Sequence, residues 1–350
     1  MKILHTADWH LICLHKKLGR EKAVLRYIRF VREFLQIVDQ HAPDIVVIGG
    51  DIYNNPNPNS WELILLSVIL NELDKRDISV VLITGNHDIE GPASSNSLAY
   101  LLPFQNSSNF TLTTLSPRIQ RVRGITFILW PPGTFPNKKQ IAQAKAYPEP
   151  RIGVMHIPLY RSRITGDGRK LKTGFPLSLT EKTVEAFGLT HLLLGDIHEY
   201  QTFCKKTIIY SGAPLQTKSD ESPDKGVVVI DLDKPKSKGV KFVPITTPPK
   251  LLTVSSIDEM NTTDYYRLII EDKEEAIRIA DDLPDNVIDF KYLFKQEIQE
   301  QVTSTNGTGW RVDLSPIIIN ILHEQGIKNT KKPMKYLAKL LGSKDSLIIP

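Results

Sequence analysis

The sequence predicts an α/β protein whose strands are covered on both faces. Two observations carry this. Over the first 130 residues, short unbroken apolar runs alternate with runs at helical spacing, the pattern of strands buried from both sides. In addition, five short polar clusters each follow an apolar strand: Asp8-Trp9-His10, Gly49-Gly50-Asp51, Gly85-Asn86-His87-Asp88, Met155-His156 and Gly195-Asp196-Ile197-His198. Ligands of open α/β sheets gather outside the carboxyl ends of the strands, so clusters placed this way converge on one crevice.

Taken in order, 3–6 is a short buried strand. Residues 20–39 form a helix, with Val24, Tyr27, Ile28, Val31, Phe34, Leu35 and Val38 at three-to-four spacing. Strands follow at 44–49 and 79–84, separated by a helix over 61–76 that is apolar nearly all round. Further strands lie at 124–130, 151–156, 191–194, 207–210 and 226–232. The proline-rich stretch 131–150 reads as irregular. Pro244 to Lys250 (PITTPPK) marks a domain boundary, after which 265–270, 274–282 and 287–294 form strand, helix and strand. The run 303–309 (TSTNGTG) has the composition of a flexible linker, and two short helices follow at 316–324 and 333–341.

A chain of 350 residues accommodates two domains and a sizeable core. With 41% hydrophobic, 24% charged and 8% aromatic residues, it is not a disordered chain, a collagen-like repeat or a coiled-coil rod. Cys13 and Cys204 make neither a disulfide framework nor a zinc ribbon, which suits a reducing compartment. No apolar run reaches the ~18 residues of a membrane span, and no secretion signal follows Lys2. Cytoplasmic location, in a bacterial or virus-infected bacterial cell, is the expectation. Residues 101–250 carry 22 Lys and Arg against 11 Asp and Glu, whereas both flanks are mildly acidic. A basic middle suits a polyanion, nucleic acid before membrane; a solvated basic face is the plainer alternative.

The clusters combine carboxylate oxygen, imidazole nitrogen and one amide oxygen, a donor set for manganese, iron or zinc. Asp8, His10, Asp51, Asn86, His156, Asp196 and His198 are too many ligands for one tetrahedral ion and suit two ions ~3.5–4 Å apart sharing a carboxylate. Such a pair holds a phosphate oxygen and activates water for in-line attack. Any one cluster alone reads as a turn or a strand-end histidine; the ordered set does not. His5, His15, His41, His191 and His323 match no cluster and are expected to be structural.

The order DxH, GD, GNH, H, GxxH resembles the calcineurin-like metallophosphoesterase superfamily. Within it, HTADWHL, GGDIYN, ITGNHD and LLLGDIHEYQ are similar to SbcD-type double-strand-break-repair nucleases, which pair with an SbcC-type SMC-like ATPase. The resemblance covers 1–230 and is architectural beyond about 250. It implies a four-layer α/β/β/α metallophosphoesterase sandwich over 1–247, a small α+β capping domain over 248–300, a linker over 301–312 and a helical tail over 313–350 that binds the ATPase coiled coil. It implies one metal on Asp8, His10 and His198, another on Asn86, His156 and residue 196, and Asp51 bridging both. It places His87 on the scissile phosphate, with Asp88 orienting His87 or the turn. It implies two manganese ions, or magnesium or another divalent ion, and 3′→5′ exonuclease and single-strand endonuclease activity.

This chain departs from the family pattern in three places. Asp196 stands where histidine is usual, Ile12 where glycine is usual, and Asn54 where many members have histidine. The surplus apolar face of 61–76 suits either a second copy of the chain, as in the family's nuclease dimer, or burial in its own core. The tail carries two apolar stripes ringed by Lys328, Lys331, Lys332, Lys335 and Lys339, suited to an acidic partner helix or to folding back on the cap. Residues 251–300, with 5 basic against 13 acidic residues, are a poor DNA-gripping surface. The expected function is a manganese-dependent DNA nuclease subunit of an SbcCD-type complex. A stand-alone phosphodiesterase on small nucleotides and a catalytically silent DNA-end scaffold are the alternatives.

Overall fold

Two six-stranded sheets lie face to face, with helices on their outer faces. The computed structural model describes residues 1–89, 97–98, 101, 109–159, 162–163, 184, 186–280 and 283–293. The chain runs β1 (Lys2–Thr6), α1 (His15–Leu18), α2 (Arg20–His41), β2 (Ile45–Ile48), α3 (Ser60–Lys75), β3 (Ser79–Ile83), β4 (Phe110–Thr113), β5 (Arg118–Val122) and β6 (Ile125–Trp130). It continues through α4 (Lys138–Lys145), β7 (Arg151–His156), β8 (His191–Gly195), β9 (Gln201–Phe203), β10 (Ile208–Tyr210), β11 (Gly226–Asp231), α5 (Lys236–Gly239) and β12 (Val240–Pro244). The last elements are β13 (Leu251–Val254), β14 (Tyr265–Ile270), α6 (Lys273–Ala280) and β15 (Val287–Tyr292).

The first sheet has the order β12-β11-β1-β2-β3-β4 and the second β5-β6-β7-β8-β10-β9. Their centres are parallel: β1 to β4 in the first, β6, β7, β8 and β10 in the second. The strand pleat sorts the side chains between layers. Ile3, Ile45, Val47, Val81 and Ile83 meet Phe127, Leu129, Ile152, Val154 and Leu193 between the sheets. The alternate residues Leu4, Val46, Ile48, Val80 and Leu82 face outward onto Phe30, Phe34, Leu66 and Ile69 of α2 and α3. On the far side Ile128, Trp130, Met155, Leu192 and Leu194 pack with Ala144 of α4. Each central strand is therefore buried from both sides, which is why it reads as an unbroken apolar run.

Three expectations change. Residues 131–150 are not wholly irregular: α4 lies among them, opened by a capping box in which Asn137 accepts from Gln140 N–H and Gln140 accepts in return. Strands β4, β5, β9, β12 and β13 are additional; each is an edge or a short strand. Strand β5 is largely half-buried and β12 mixes buried, half-buried and exposed residues, so the apolar run is missing. Finally, α3 is not enclosed in the core. Asn59 and Glu62 cap its start, Leu65, Leu66, Ile69 and Leu73 face inward, and Trp61, Ile64 and Val68 lie 46%, 50% and 44% exposed along one stripe.

A third sheet, β13-β14-β15, all parallel, occupies the segment where a cap is expected, with Ala276 and Ile279 of α6 packed on Leu268 and Ile270. Met1–Lys295 forms one unit; a second unit, Gln296–Pro350, lies outside the described residues, as do the expected linker and tail helices. Among the described residues, no helix is long and apolar enough to cross a membrane.

Candidate metal centre

The first loop is shaped by the residue between two polar ones. Trp9 is fully buried and meets Phe30 and Phe34 of α2 edge-on, with centroids 5.6 and 5.7 Å apart. Its indole N–H donates to Thr6 Oγ1, and the Tyr27 hydroxyl donates to the His10 carbonyl at 2.7 Å. Asp8 and His10 flank it at φ 55° and 42°, and their N–H groups donate to Gly50 O and Asp51 O. Ile12 is 1% exposed at φ 57°. Glycine adopts that backbone freely, whereas a β-branched residue carries roughly 1–2 kcal/mol of strain. The departure at 12 thus exchanges backbone ease for a buried side chain.

The next two strands bring Asp51 and the Gly85–Asp88 turn together. A Cβ on Gly85 would sit 1.9 Å from Asp51 Oδ1, so only glycine permits the approach. Asp51 Oδ1 accepts from His87 N–H at 2.9 Å. The His87 ring lies on the exposed rim, edge-on to His10 at 5.0 Å, with Nδ1 at 3.1 Å from the Asn54 carbonyl. Position 54 thus orients His87 through its backbone. Asp88 accepts from the N–H groups of Ile52, Tyr53 and Gly85. It ties the two loops together and does not hydrogen-bond the His87 ring, which resolves its alternatives in favour of the turn.

The second sheet supplies the rest. His156 ends β7 and gives its Nδ1–H to Gly49 O at 2.7 Å, which leaves Nε2 facing the crevice, 3.0 Å from Asn86 Oδ1. Asp51 Oδ2 lies 3.4 Å from His156 Nε2 and 3.6 Å from His10 Nε2, between the two rings. Asp196, at φ 87°, donates its N–H to Asp8 Oδ1 at 2.9 Å and places Oδ1 3.7 Å from His156 Nε2. His198 and His10 oppose their Nε2 atoms at 3.1 Å. The structure therefore brings all seven expected ligands into one crevice, with His87 at its lip.

Electrostatically the crevice calls for cations. Burial pushes the Asp8 carboxyl up to about 6 against the pull of His156 and His198. Burial also raises Asp51, but His156, His10 and His87 outweigh it and hold its carboxyl well below the usual range. Burial depresses His10 to about 3. It would depress His156 too, but Asp51 foremost raises that imidazole well above its ordinary value. Among the described residues, Asp8 Oδ2 and His10 Nδ1 are buried without a protein partner. Among the described residues, two groups have ligand atoms mutually within 4.8 Å: Asp8, His10 and His198, and Asp8, Asp51 and His156. An orphaned carboxylate oxygen among facing imidazole nitrogens fits divalent metal ions.

One supporting group is invisible in the sequence pattern. Glu221, buried, accepts from His198 Nδ1 at 2.9 Å and pairs with Lys225 Nζ at 2.9 Å. Thr217 Oγ1 also donates to it, and Lys225 donates to the His198 carbonyl at 2.8 Å. These contacts fix the His198 tautomer with Nε2 toward the crevice. Glu221 lies 23 residues downstream in a polar loop whose composition signals only a turn.

The family model described as calcineurin-like phosphoesterase matches residues 1–200. The chain is 25% identical over 270 residues to the SbcD component of the SbcCD nuclease of Staphylococcus epidermidis, covering 70% of each chain. It is 25% identical over 336 residues to the protein of the same name in Staphylococcus saprophyticus, covering 88% of this chain and 85% of that one. A solved structure from Thermus thermophilus overlaps 69% of this chain and 98% of its own, at 12% identity and a TM-score of 0.41.

Proposed function

Because this chain belongs to the calcineurin-like phosphoesterase family, and so to the metal-dependent hydrolases of phosphate esters, we propose that its substrate is DNA and that it is the nuclease subunit of an SbcCD-type complex. The observation that carries this reading is the crevice of three carboxylates, three imidazoles and one amide at the strand ends, in a chain similar to proteins named as SbcCD nuclease subunits over most of its length. Asp8, His10 and His198 would hold one ion, Asn86, His156 and Asp196 the other, and Asp51 would face both. Manganese suits this mixed set of hard oxygen and borderline nitrogen; magnesium is the competing ion. A pair of such ions supplies Lewis acidity to the phosphate and a nucleophile at neutral pH.

The chain's own residues do the rest. Asp51 holds the His87 backbone, and the Asn54 carbonyl takes Nδ1–H, so the His87 ring presents Nε2 outward from the lip. As imidazolium it donates to a phosphate oxygen or protonates the leaving oxygen. His87→Ala should keep both ions bound and lower turnover ~10²-fold or more. Loss of an ion, measured by calorimetry, would reassign His87 as a ligand.

Glu221 acts through His198. Glu221→Gln removes its charge but not its volume and should weaken binding of one ion ~10-fold or more, with the fold retained. An unchanged dissociation constant for both ions in a calorimetric titration would reduce Glu221 to packing.

The exposed Trp61, Ile64 and Val68 stripe supports a homodimer through α3. The ATPase-binding tail at 313–350 rests on the family resemblance, and the cytoplasm is the compartment that such a complex implies. One set of measurements tests the reading. End-labelled duplex and single-stranded DNA with manganese should give progressive 3′→5′ shortening and single-strand cuts. Light scattering should give twice 39.6 kDa. Removing 311–350 should abolish co-purification with the ATPase yet spare cleavage of short single strands. Cleavage of small nucleotide esters but not DNA would favour a stand-alone phosphodiesterase, and metal binding without any cleavage a silent scaffold.

A further inference from the structure

Among the described residues, Arg26 is a buried cation without a counter-ion. It is 2% exposed, and its Nε and NH1 groups donate to two neutral carbonyls, Pro249 O and Gln216 O, each at 2.9 Å. Among the described residues no carboxylate forms an ion pair with it. The acid whose charge it senses, Glu221, is already taken by His198, Lys225 and Thr217. Buried charges are ordinarily paired, because desolvation is otherwise uncompensated.

Arg26 is also part of the wall of a cavity of about 340 Å³ between α2 and the third sheet. Lys22 and Arg29, four residues before it and three after, share its face of α2 and line the same space. The lining contains one acid, Asp285, whose backbone carbonyl takes Lys22 Nζ at 2.8 Å. Three cations thus face one carboxylate. The remaining Arg26 nitrogen, the Arg29 guanidinium and the Thr262 hydroxyl have no protein hydrogen bond among the described residues. The rest of the wall is mixed: Leu25, half exposed, Pro249 and Tyr265 give it an apolar, aromatic part, beside the polar Thr263 and Asn286. Basic donors on one side and an apolar, aromatic wall on the other match an anion joined to a flat ring. The volume is at the small end of the ~300–1,000 Å³ of small-molecule sites.

We propose that this cavity binds the phosphate of a nucleotide, held by Arg26, Arg29 and Lys22, with its sugar or base against Leu25, Pro249 and Tyr265. Only the choice of a nucleotide as the phosphate ester rests on the nuclease reading. The source is either a free mononucleotide or a nucleotide within a bound strand. The site is separate from the metal crevice and needs no metal.

The test uses the full chain with metal chelated, titrated with dAMP, deoxyadenosine and inorganic phosphate, in the wild type and in Arg29→Ala and Lys22→Ala. Expected results are binding of dAMP and phosphate, none of deoxyadenosine, and a loss of at least ~5-fold in dAMP affinity in each variant. Manganese-dependent cleavage of bis(p-nitrophenyl) phosphate by the variants should be unchanged. If a single strand also binds more weakly to the variants, with the salt slope reduced by about 1, the occupant is a strand nucleotide. If strand affinity is unchanged, it is a free nucleotide. Deoxyadenosine binding as tightly as dAMP, absence of dAMP binding, or equal dAMP affinity in wild type and variants would overturn the proposal. Failure of the wild type to cleave any phosphodiester would sink the nuclease reading instead and leave the titration interpretable.

Discussion

Asp51→Asn is expected to abolish manganese-dependent cleavage, lowering turnover by at least ~10³-fold, about 4 kcal/mol of barrier. Asp51 Oδ1 accepts from His87 N–H, and an asparagine oxygen does so equally well. Oδ2 is the atom that lies between His10 Nε2 and His156 Nε2, at 3.6 and 3.4 Å. An amide nitrogen there donates to those rings and offers no lone pair to a cation. The substitution therefore removes a donor shared by both halves of the crevice while keeping the volume beside Gly85. Circular dichroism and metal-free DNA binding should match the wild type. Near-normal cleavage with manganese would sink the two-ion assignment.

What was legible in the sequence follows from how far apart the cooperating residues lie along the chain. The strands are readable because each central one is buried from both sides, and the ligands because each sits within a few residues of a strand end. Edge strands such as β12 lose that signal because exposed residues interrupt the buried ones. Helix α4 has a capping box but only a short, polar body, so its neighbouring prolines dominate the pattern. Glu221 and the basic cavity are of another kind. Glu221 supports a histidine from 23 residues away, and the cavity joins residues near 22–29, 249–265 and 285–286. Such sites exist only once the chain is folded, because no local periodicity links their parts. Ile12 is an intermediate case: the sequence shows an unusual residue, and only its φ of 57° shows why glycine is the easier occupant.

Asp196 stands where the resemblance leads one to expect a histidine ligand. Its φ of 87° is a strained conformation for a residue with a Cβ, held by the hydrogen bond from its N–H to Asp8 Oδ1. That bond ties the 195–198 segment to the first loop. The side chain enters the crevice: Oδ1 is 3.7 Å from His156 Nε2, and among the described residues the carboxylate caps no turn. Burial raises its carboxyl, and Asp51 adds to that against the pull of His156. Two carboxylates beside one imidazole favour a hard divalent ion over a softer one. Asp196→Ala should therefore reduce the ions bound from two to one and lower activity ~10²-fold or more, the scale of a lost site. Asp196→His should restore both with manganese and shift preference toward softer ions. Two ions bound to Asp196→Ala by calorimetry, or a metal-bound crystal structure placing the carboxylate beyond about 3 Å from both ions, would remove Asp196 from the ligand set.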